Sequence, residues 1–258
     1  MNIYQHFRPE EHSFIDRAAE WIDLALHRHQ KRRTDFLDPR QAYILETMAS
    51  REPDVQFQLD GGVPSAERKR AVLAPHYEEV DREDFGLAVL SIASTDQRFA
   101  DLKHGDVMGA LLGLGIKRDK LGDIYMHDGF CHCVLAEEIA PYIVMHLHQV
   151  HRVQVTASEI ALDELKPAAE EYVEQSCSVA SLRLDNVLSE AVRMSRAKIL
   201  QPIKAGDCKV NWKVEQNPAA EVGEGDVLSL RGYGRYRIMA VEGPTKKGRM
   251  RVTIGKLL

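Results

Sequence analysis

The sequence has no long apolar run and only four cysteines. Its longest apolar stretches, such as residues 110–116, are far too short to cross a bilayer. The first residues mix charged and polar groups, so we expect no secretory signal either. Four cysteines in 258 residues make no disulfide framework, and we therefore expect reduced thiols in a cytoplasmic protein.

Known catalytic motifs are missing as well. The sequence contains no nucleophile elbow, kinase loop or paired-carboxylate motif. The glycine-rich segment 113–118 has the spacing of neither a Walker loop nor a dinucleotide fingerprint. Its glycines and two bases, Lys117 and Arg118, can present backbone N–H groups and charge to a phosphate, although a helix end followed by surface charge fits equally well. We expect a non-enzymatic protein without a cofactor.

One enzymatic alternative lies in the histidine-rich segment 127–151. Cys131 and Cys133 share one face of a predicted strand with histidines on either side, which allows an RNA-modifying or metal-dependent enzyme. No second pair of ligands accompanies these cysteines at zinc-site spacing, so we expect no metal site.

The net charge of −5 is distributed unevenly along the chain. Residues 180–258 hold 15 Lys and Arg against 8 Asp and Glu, a balance of +7. The remaining 19 basic and 31 acidic residues leave residues 1–179 at −12. A basic portion on an acidic protein indicates a polyanionic partner for that portion, with chance clustering on a solvated face as the alternative.

Periodicity predicts an α+β, multidomain protein. Residues 1–78 form a small α+β domain, with a helix over residues 10–30 and a second helix that Asp38 caps and Pro39 begins. Two strands are expected to follow that second helix.

Residues 79–156 alternate in the order β-α-β-β-α-β, which is the ferredoxin-like order that RNA-recognition modules share. The predicted strands cover residues 86–93, 123–126, 131–135 and 152–156, and the predicted helices cover residues 105–114 and 136–149. Because the aromatic strand signature of such modules is missing, only fold analogy predicts a central RNA-binding-like domain. Residues 157–180 are polar and Ala/Glu-rich, which predicts a partly helical connector.

Residues 181–258 form the basic C-terminal domain. A helix is predicted at residues 185–191, and Ser195 is placed to cap a second helix that ends at Gly206, before a strand at residues 208–211. The bases left on the polar side of this pair can bind phosphates, and they are Arg183, Arg193, Arg196, Lys198, Lys204 and Lys209. Asp185 either pairs with Arg183 or belongs to the same surface.

Further bases extend this surface past the helix pair. They are Arg231, Arg235, Arg237, Lys246, Lys247, Arg249 and Arg251. Tyr233 and Tyr236 lie among them, either as stacking partners for bases or as exposed hairpin tyrosines.

Several spaced elements in this region resemble the alpha-L RNA-binding domain, a module named after the ribosomal protein S-four. They are Arg183-Leu184-Asp185 with Leu188, Ser195-Arg196-Ala197, Ile203 with Gly206, Val210-Asn211, and Gly225-Asp226-Val227-Leu228. The resemblance implies that Asn211 joins the basic residues and Ser195 on an RNA-binding surface. The sequence departs from the pattern at Trp212, where glycine is commonest, and at Pro202, which predicts a shortened second helix.

Upstream motifs resemble the YlmH family of bacterial RNA-binding proteins over nearly the full length. They are residues 34–39, Gly61-Gly62, residues 66–70, residues 104–109, residues 114–118 and Gly122-Asp123-Ile124. The resemblance implies binding to the large ribosomal subunit, with rRNA and peptidyl-tRNA as partners, in a pathway that adds C-terminal alanines to stalled nascent chains. Gly105 stands where this family commonly has arginine, so a contact by that residue is not carried over.

Overall fold

The computed structural model describes residues 3–168, 170–245 and 248–257. The chain divides into two compact units, Met1–Ala168 and Ala169–Leu258. Both contain helices and strands, so the protein is a multidomain α+β chain, as predicted. In the described residues, no helix is long and apolar enough to cross a membrane.

The first unit begins with two helices on a three-stranded antiparallel sheet. Its elements are α1 (His12–Arg28), β1 (Arg32–Leu37), α2 (Pro39–Ala49), β2 (Val55–Asp60) and β3 (Lys69–Pro75). The strand order is β1-β3-β2, and apolar residues of both helices pack on the sheet. As predicted, Asp38 caps α2: its carboxylate accepts from the Gln41 N–H at 2.8 Å, and the Gln41 side chain accepts from the Asp38 N–H at 3.0 Å.

Strand β1 was not predicted from the sequence. Its bases Arg32 and Arg33 resemble the basic end of a helix, but α1 ends at Arg28 and His29 takes a left-handed conformation with φ of 51°. Thr34 and Phe36 are buried in β1 because this strand pairs with β3.

The rest of the first unit forms a second sheet. Its elements are β4 (Leu87–Ala93), α3 (His104–Gly113), β5 (Leu121–His127), β6 (Phe130–Ala136), α4 (Ala140–His146), β7 (Gln149–Val150), β8 (Val153–Gln154) and β9 (Thr156–Ile160). The sheet order is β5-β6-β4-β9, with every neighbouring pair antiparallel. The first strand therefore lies between the third and the fourth, as the split βαβ arrangement requires.

The end of this domain differs from the prediction. Helix α4 covers only Ala140–His146, because β6 continues to Ala136 and Pro141 stands in the first turn of the helix. Residues 149–154 form a small hairpin, and the last strand of the sheet is β9, which pairs with β4. The expected strand at residues 152–156 is therefore wrong in position.

The predicted connector at residues 157–180 is also wrong. Its first residues belong to β9, and its last residues form β10 (Tyr172–Val179) in a different sheet. Both strands pair with segments distant in sequence, which composition cannot reveal.

The two faces of the second sheet are both covered. Helices α3 and α4 pack on one face, over Cys131, Cys133 and Leu135. The opposite face, which includes Val89 and Val134, is covered by apolar side chains from outside the sheet. These are Phe36 of β1 together with Val63, Leu162 and Leu165. The sheet surface on which RNA-recognition modules stack bases is therefore buried in this chain.

Polar contacts fix the two halves of the first unit to each other. The Asp123 carboxylate accepts hydrogen bonds from the backbone N–H groups of Glu67 and Arg68 at 2.6 and 3.2 Å. The Arg68 side chain donates to the carbonyl oxygens of Phe36 and Leu121. Burial raises the pKa of Asp123, and these backbone donors partly oppose the increase.

The second unit is a six-stranded antiparallel sheet with two helices on one face. After β10 come α5 (Leu184–Val192), α6 (Arg196–Ala205), β11 (Cys208–Val210), β12 (Lys213–Val214), β13 (Val227–Leu230), β14 (Gly234–Pro244) and β15 (Met250–Leu257). The order is β10-β15-β14-β13-β11-β12. Contrary to the expected shortening, α6 continues through Pro202 to Ala205, since Ile199 and Ile203 are fully buried in the core.

Candidate nucleic-acid interface

Asp185 is buried in the first turn of α5 and binds two arginines. Arg183 donates from Nε and Nη2 to the two carboxylate oxygens at 3.2 and 3.1 Å. Arg196, the first residue of α6, donates from Nε and Nη2 to Oδ2 at 2.9 and 2.6 Å. Burial raises the pKa of Asp185, but the hydrogen bonds from both guanidinium groups outweigh burial and lower it. Asp185 thus connects the starts of the two helices. Of the two roles considered for this residue in the sequence, the structure shows the ion pair with Arg183.

The two guanidinium groups remain partly open to solvent. The Asp185 side chain is 2% exposed, whereas those of Arg183 and Arg196 are 39% and 52% exposed. Two positive charges share one negative charge, so the group has a net charge of +1. Because the carboxylate fixes each planar group, the remaining N–H donors are oriented before any phosphate arrives.

The turn between α5 and α6 adds exposed bases to this group. Arg193 ends α5 in a left-handed conformation, with φ of 57°, and its side chain is exposed. Lys198 is exposed in the first turn of the next helix. We call Arg183, Arg193, Arg196 and Lys198 the helix-junction surface.

Ser195 takes the predicted N-cap position of α6 but not the predicted hydrogen bond. Its backbone is extended and its carbonyl oxygen accepts from the N–H groups of Lys198 and Ile199 at 2.9 and 3.1 Å. Its exposed hydroxyl makes no capping bond. The Ser195 side chain is therefore exposed to solvent and has no role in the helix cap.

The remaining predicted bases of this unit do not all share that surface. Cys208, Leu228 and Leu230 point into the core beneath α5 and α6. Lys209 follows Cys208 in β11, so its side chain projects from the opposite face of the sheet. Lys204 is exposed in the last turn of α6. The prediction of a single surface for all these bases is wrong for Lys209.

Asn211 uses its side chain inside the unit. Its amide nitrogen donates to Asp226 Oδ1 at 2.8 Å, and its amide oxygen accepts from the Val227 N–H at 2.9 Å. The Asn211 backbone N–H donates to the Val227 carbonyl oxygen at 2.8 Å. These contacts fix the turn after β11 against β13, so the geometry gives Asn211 a structural role.

Lys117 and Arg118 belong to the first unit. Gly115, with φ of 84°, follows the end of α3. Segment 113–118 is therefore a helix end, the second of the two interpretations that its sequence allowed. The Arg118 guanidinium donates to the carbonyl oxygens of Leu121 and Gly122 at 2.6 and 3.3 Å, and it is therefore used within the fold. Lys117 is exposed.

Many outlying bases are paired with acids. The pairs are Arg231–Asp207, Arg237–Glu170, Arg249–Glu190 and Arg251–Glu242, with N···O distances between 3.5 and 3.8 Å. Lys246 and Lys247 lie outside the described residues. Tyr233 is 42% exposed, whereas Tyr236 is buried and its hydroxyl donates to the Tyr233 carbonyl oxygen, which excludes Tyr236 as a stacking partner.

The cysteines and histidines of segment 127–151 are separated by the sheet. Cys131 and Cys133 are buried beneath α3 and α4, and the hydrogen bond with the Cys131 thiol, together with burial, raises the pKa of Cys133. His132 lies on the opposite face, where its Nδ1 accepts from the Lys166 N–H at 3.1 Å. Within the part of the chain that the structure describes, no three His, Cys, Asp or Glu residues are grouped to hold a metal ion.

One contact was missed from the sequence. The Arg235 guanidinium carbon lies 5.5 Å from the centre of the Trp212 ring. Arg235 is on β14 and Trp212 is in the turn after β11, so only the strand order brings them together. The one signal in the sequence was a tryptophan where the alpha-L pattern has glycine.

Comparison with protein families identifies the class of protein. Residues 81–164 match the family model described as "Putative RNA-binding domain in YlmH", and residues 10–78 match the model "YlmH, N-terminal". The first unit thus contains two domains that these family models describe, and the second of them carries the RNA-binding description.

Comparison with single proteins identifies the family. The chain is 39% identical over 252 residues to "Ribosome-associated protein quality control protein P2" of Bacillus subtilis, covering 98% of this chain and 97% of that protein. The solved structure "Cell division protein ylmH from Streptococcus pneumoniae" has the same fold over 63% of this chain and 98% of its own, with a TM-score of 0.56 at 24% identity. This chain belongs to the YlmH family, as its motifs predicted.

Proposed function

We propose that this chain is a non-enzymatic RNA-binding protein that docks on the large ribosomal subunit, contacts rRNA and peptidyl-tRNA, and acts in quality control of stalled nascent chains. The helix-junction surface carries the proposal. A buried carboxylate orients two arginines, and the turn and first helical turn that connect α5 to α6 add the exposed bases Arg193 and Lys198; such a set of charges suits several phosphates of a folded RNA. The name of the Bacillus subtilis relative supports the ribosome as the partner.

The second unit supports docking by shape and phosphates. Its motifs resemble the alpha-L domain, and its two helix starts meet at Asp185. In the first unit, the sheet face that would stack bases is covered by Phe36, Leu162 and Leu165, which excludes base stacking on that face. Other RNA contacts of the first unit stay open, since its family model describes an RNA-binding domain. The phosphate contacts that we propose are those of the helix-junction surface in the second unit.

Co-sedimentation with purified large ribosomal subunits at increasing salt tests the proposal. Each phosphate neutralised should steepen the log–log salt dependence by roughly 0.7 to 0.9. The informative variant is Arg193→Glu with Lys198→Glu, because both side chains are exposed and lie outside the Asp185 group. We expect this variant to lose most of its association and to have a smaller salt slope.

A matched control reverses two exposed bases of the first unit, Arg32→Glu with Arg152→Glu. It changes the net charge equally and should leave association close to that of the unchanged protein. If both variants bind equally well, the helix-junction surface is not the interface. Association that does not depend on salt would contradict docking through phosphates.

A further inference from the structure

A two-residue turn connects β11 and β12, and its second residue is a tryptophan. Val210 pairs with Lys213, and the residues between them, Asn211 and Trp212, have φ of 50° and 64°. Turns with two left-handed residues favour asparagine followed by glycine. Asn211 fits this preference, but a bulky side chain at the second position is unfavourable because its Cβ crowds the backbone.

Core packing does not explain why tryptophan occupies this position. The core beneath α5 and α6 is built from aliphatic side chains with Tyr236, and Trp212 is not among the described residues that pack there. Its side chain is instead half-buried at the sheet end, with the Arg235 guanidinium carbon 5.5 Å from its ring centre. A strained residue whose side chain does not serve the core points to a function at the surface.

The surface around Trp212 is basic and faces away from the helices. Lys209 of β11, Ser229 of β13 and Arg235 of β14 are cross-strand neighbours in one row. Cys208, which is adjacent to this row, points into the core, so the row lies on the opposite, outer face of the sheet. An aromatic ring, a guanidinium group over that ring and a nearby lysine together suit a base and its phosphate.

We propose that Trp212 and Arg235 form a stacking site for an unpaired nucleobase of RNA, with Lys209 beside it for the phosphate. The proposal rests on the proposed RNA-binding function and adds a second contact, on the outer sheet face rather than at the helix junction. The site accepts any base, because stacking uses the ring faces that all bases share. The Arg235 guanidinium group lies over the indole, with its central carbon 5.5 Å from the ring centre.

Fluorescence gives a direct test because the chain has only two tryptophans. Trp21 packs against Phe14 in the first unit, so Trp21→Phe keeps an aromatic ring there and leaves Trp212 as the reporter. The full-length Trp21→Phe protein is titrated with oligouridylate of about eight nucleotides, a blunt RNA duplex, and heparin. We expect quenching by the single strand and little change with the duplex or heparin, which offer charge without an unpaired base.

Equal quenching by heparin would show that the emission follows charge alone, and this outcome would overturn the proposal. An unchanged emission when the single strand binds would overturn it as well. Co-sedimentation with ribosomal subunits, which depends on the helix-junction surface, decides the proposed function separately. A protein that sediments with subunits but shows no quenching would retain the proposed function and lose the stacking site.

Substitution at Trp212 separates a binding role from a structural one. Trp212→Gly suits the left-handed turn, so its unfolding midpoint should equal or exceed that of the unchanged protein. Its affinity for the single strand should fall roughly 5- to 100-fold, while Trp212→Phe retains most of it. An unchanged affinity of Trp212→Gly for the single strand would contradict the proposal. If the Trp212→Gly protein is unstable, the quenching experiment decides whether the stacking site exists.

Discussion

Arg196 donates two hydrogen bonds to the buried carboxylate of Asp185, from the first turn of α6 to the first turn of α5. Arg183 approaches the same carboxylate from the other side. One buried acid thus holds the two helix starts together and orients two arginines at the helix-junction surface. The packing of the helix pair and the proposed RNA contact both depend on Asp185, so substitutions there must be judged by stability as well as by affinity.

Arg196→Ala should lower both stability and RNA affinity. Asp185 would lose two charge-assisted hydrogen bonds and keep only Arg183 as its partner. Since the Arg196 side chain is about half exposed, we expect a loss of about 1–2 kcal/mol in the free energy of unfolding. Urea unfolding followed by circular dichroism measures it.

Lys198→Ala is the control for Arg196→Ala. Lys198 is exposed on the same helix, so its removal should change the free energy of unfolding by less than about 0.5 kcal/mol. Both variants should bind RNA more weakly. Equal stability of the two variants would show that the contact with Asp185 does not support the helix pair.

The Asp185→Asn protein should lose less of its free energy of unfolding than the unchanged protein as the pH falls. The pKa of Asp185 is lowered in the folded protein, whereas an unfolded aspartate has a pKa of about 3.9. Its ionised form therefore stabilises the fold above that value, and the contribution is lost as pH falls through the folded pKa. The free energy of unfolding, measured in urea from about pH 6 to about pH 3, should fall less steeply for Asp185→Asn.

The comparison must be between variants, since other depressed carboxyl groups titrate in the same range. Glu138, for example, has a pKa of about 2: burial raises it, but Lys120 and Arg70 lower it further. Identical pH profiles for Asp185→Asn and the unchanged protein would mean that the ion pairs do not stabilise the second unit.

Two glycines of the first unit should respond in opposite ways to alanine. A Cβ at Gly122 would lie 2.7 Å from Cε1 of Phe36 and 3.1 Å from the Val134 carbonyl oxygen, so Gly122→Ala should cost about 1–3 kcal/mol. A Cβ at Gly109, inside α3, meets nothing within 4 Å. Gly109→Ala should therefore stabilise by about 0.5–1 kcal/mol. Thermal unfolding measures both, and a neutral Gly122→Ala would contradict the close packing of β1 on β5.

Local signals in the sequence predicted local structure well. Asp38 followed by Pro39 marks the start of α2, and Gly206 marks the end of α6, because caps depend on neighbouring residues alone. Strands β9 and β10 were missed, since their pairing partners are far away in sequence. The polar, alternating residues of β10 fit an edge strand only once β15 is in place.

The sequence predicted which residues belong to the candidate site, but it did not predict how their side chains are arranged in space. The sequence indicated that Arg193, Arg196 and Lys198 are basic and polar-facing, which the exposed side chains agree with. It could not show that Lys209 projects from the other sheet face, because that depends on the register of β11 with β13. The contact of Trp212 with Arg235 likewise depends on strand order.

The covered sheet of the first unit limits how this protein can be divided for experiments. A fragment that begins at residue 79 would lose Phe36 and Val63 and expose the apolar surface around Val89 and Val134. Such a fragment would tend to aggregate and to adhere nonspecifically to RNA or protein. Residues 10–78 therefore shield an apolar sheet face of the domain that follows, and that domain should be studied only with them attached.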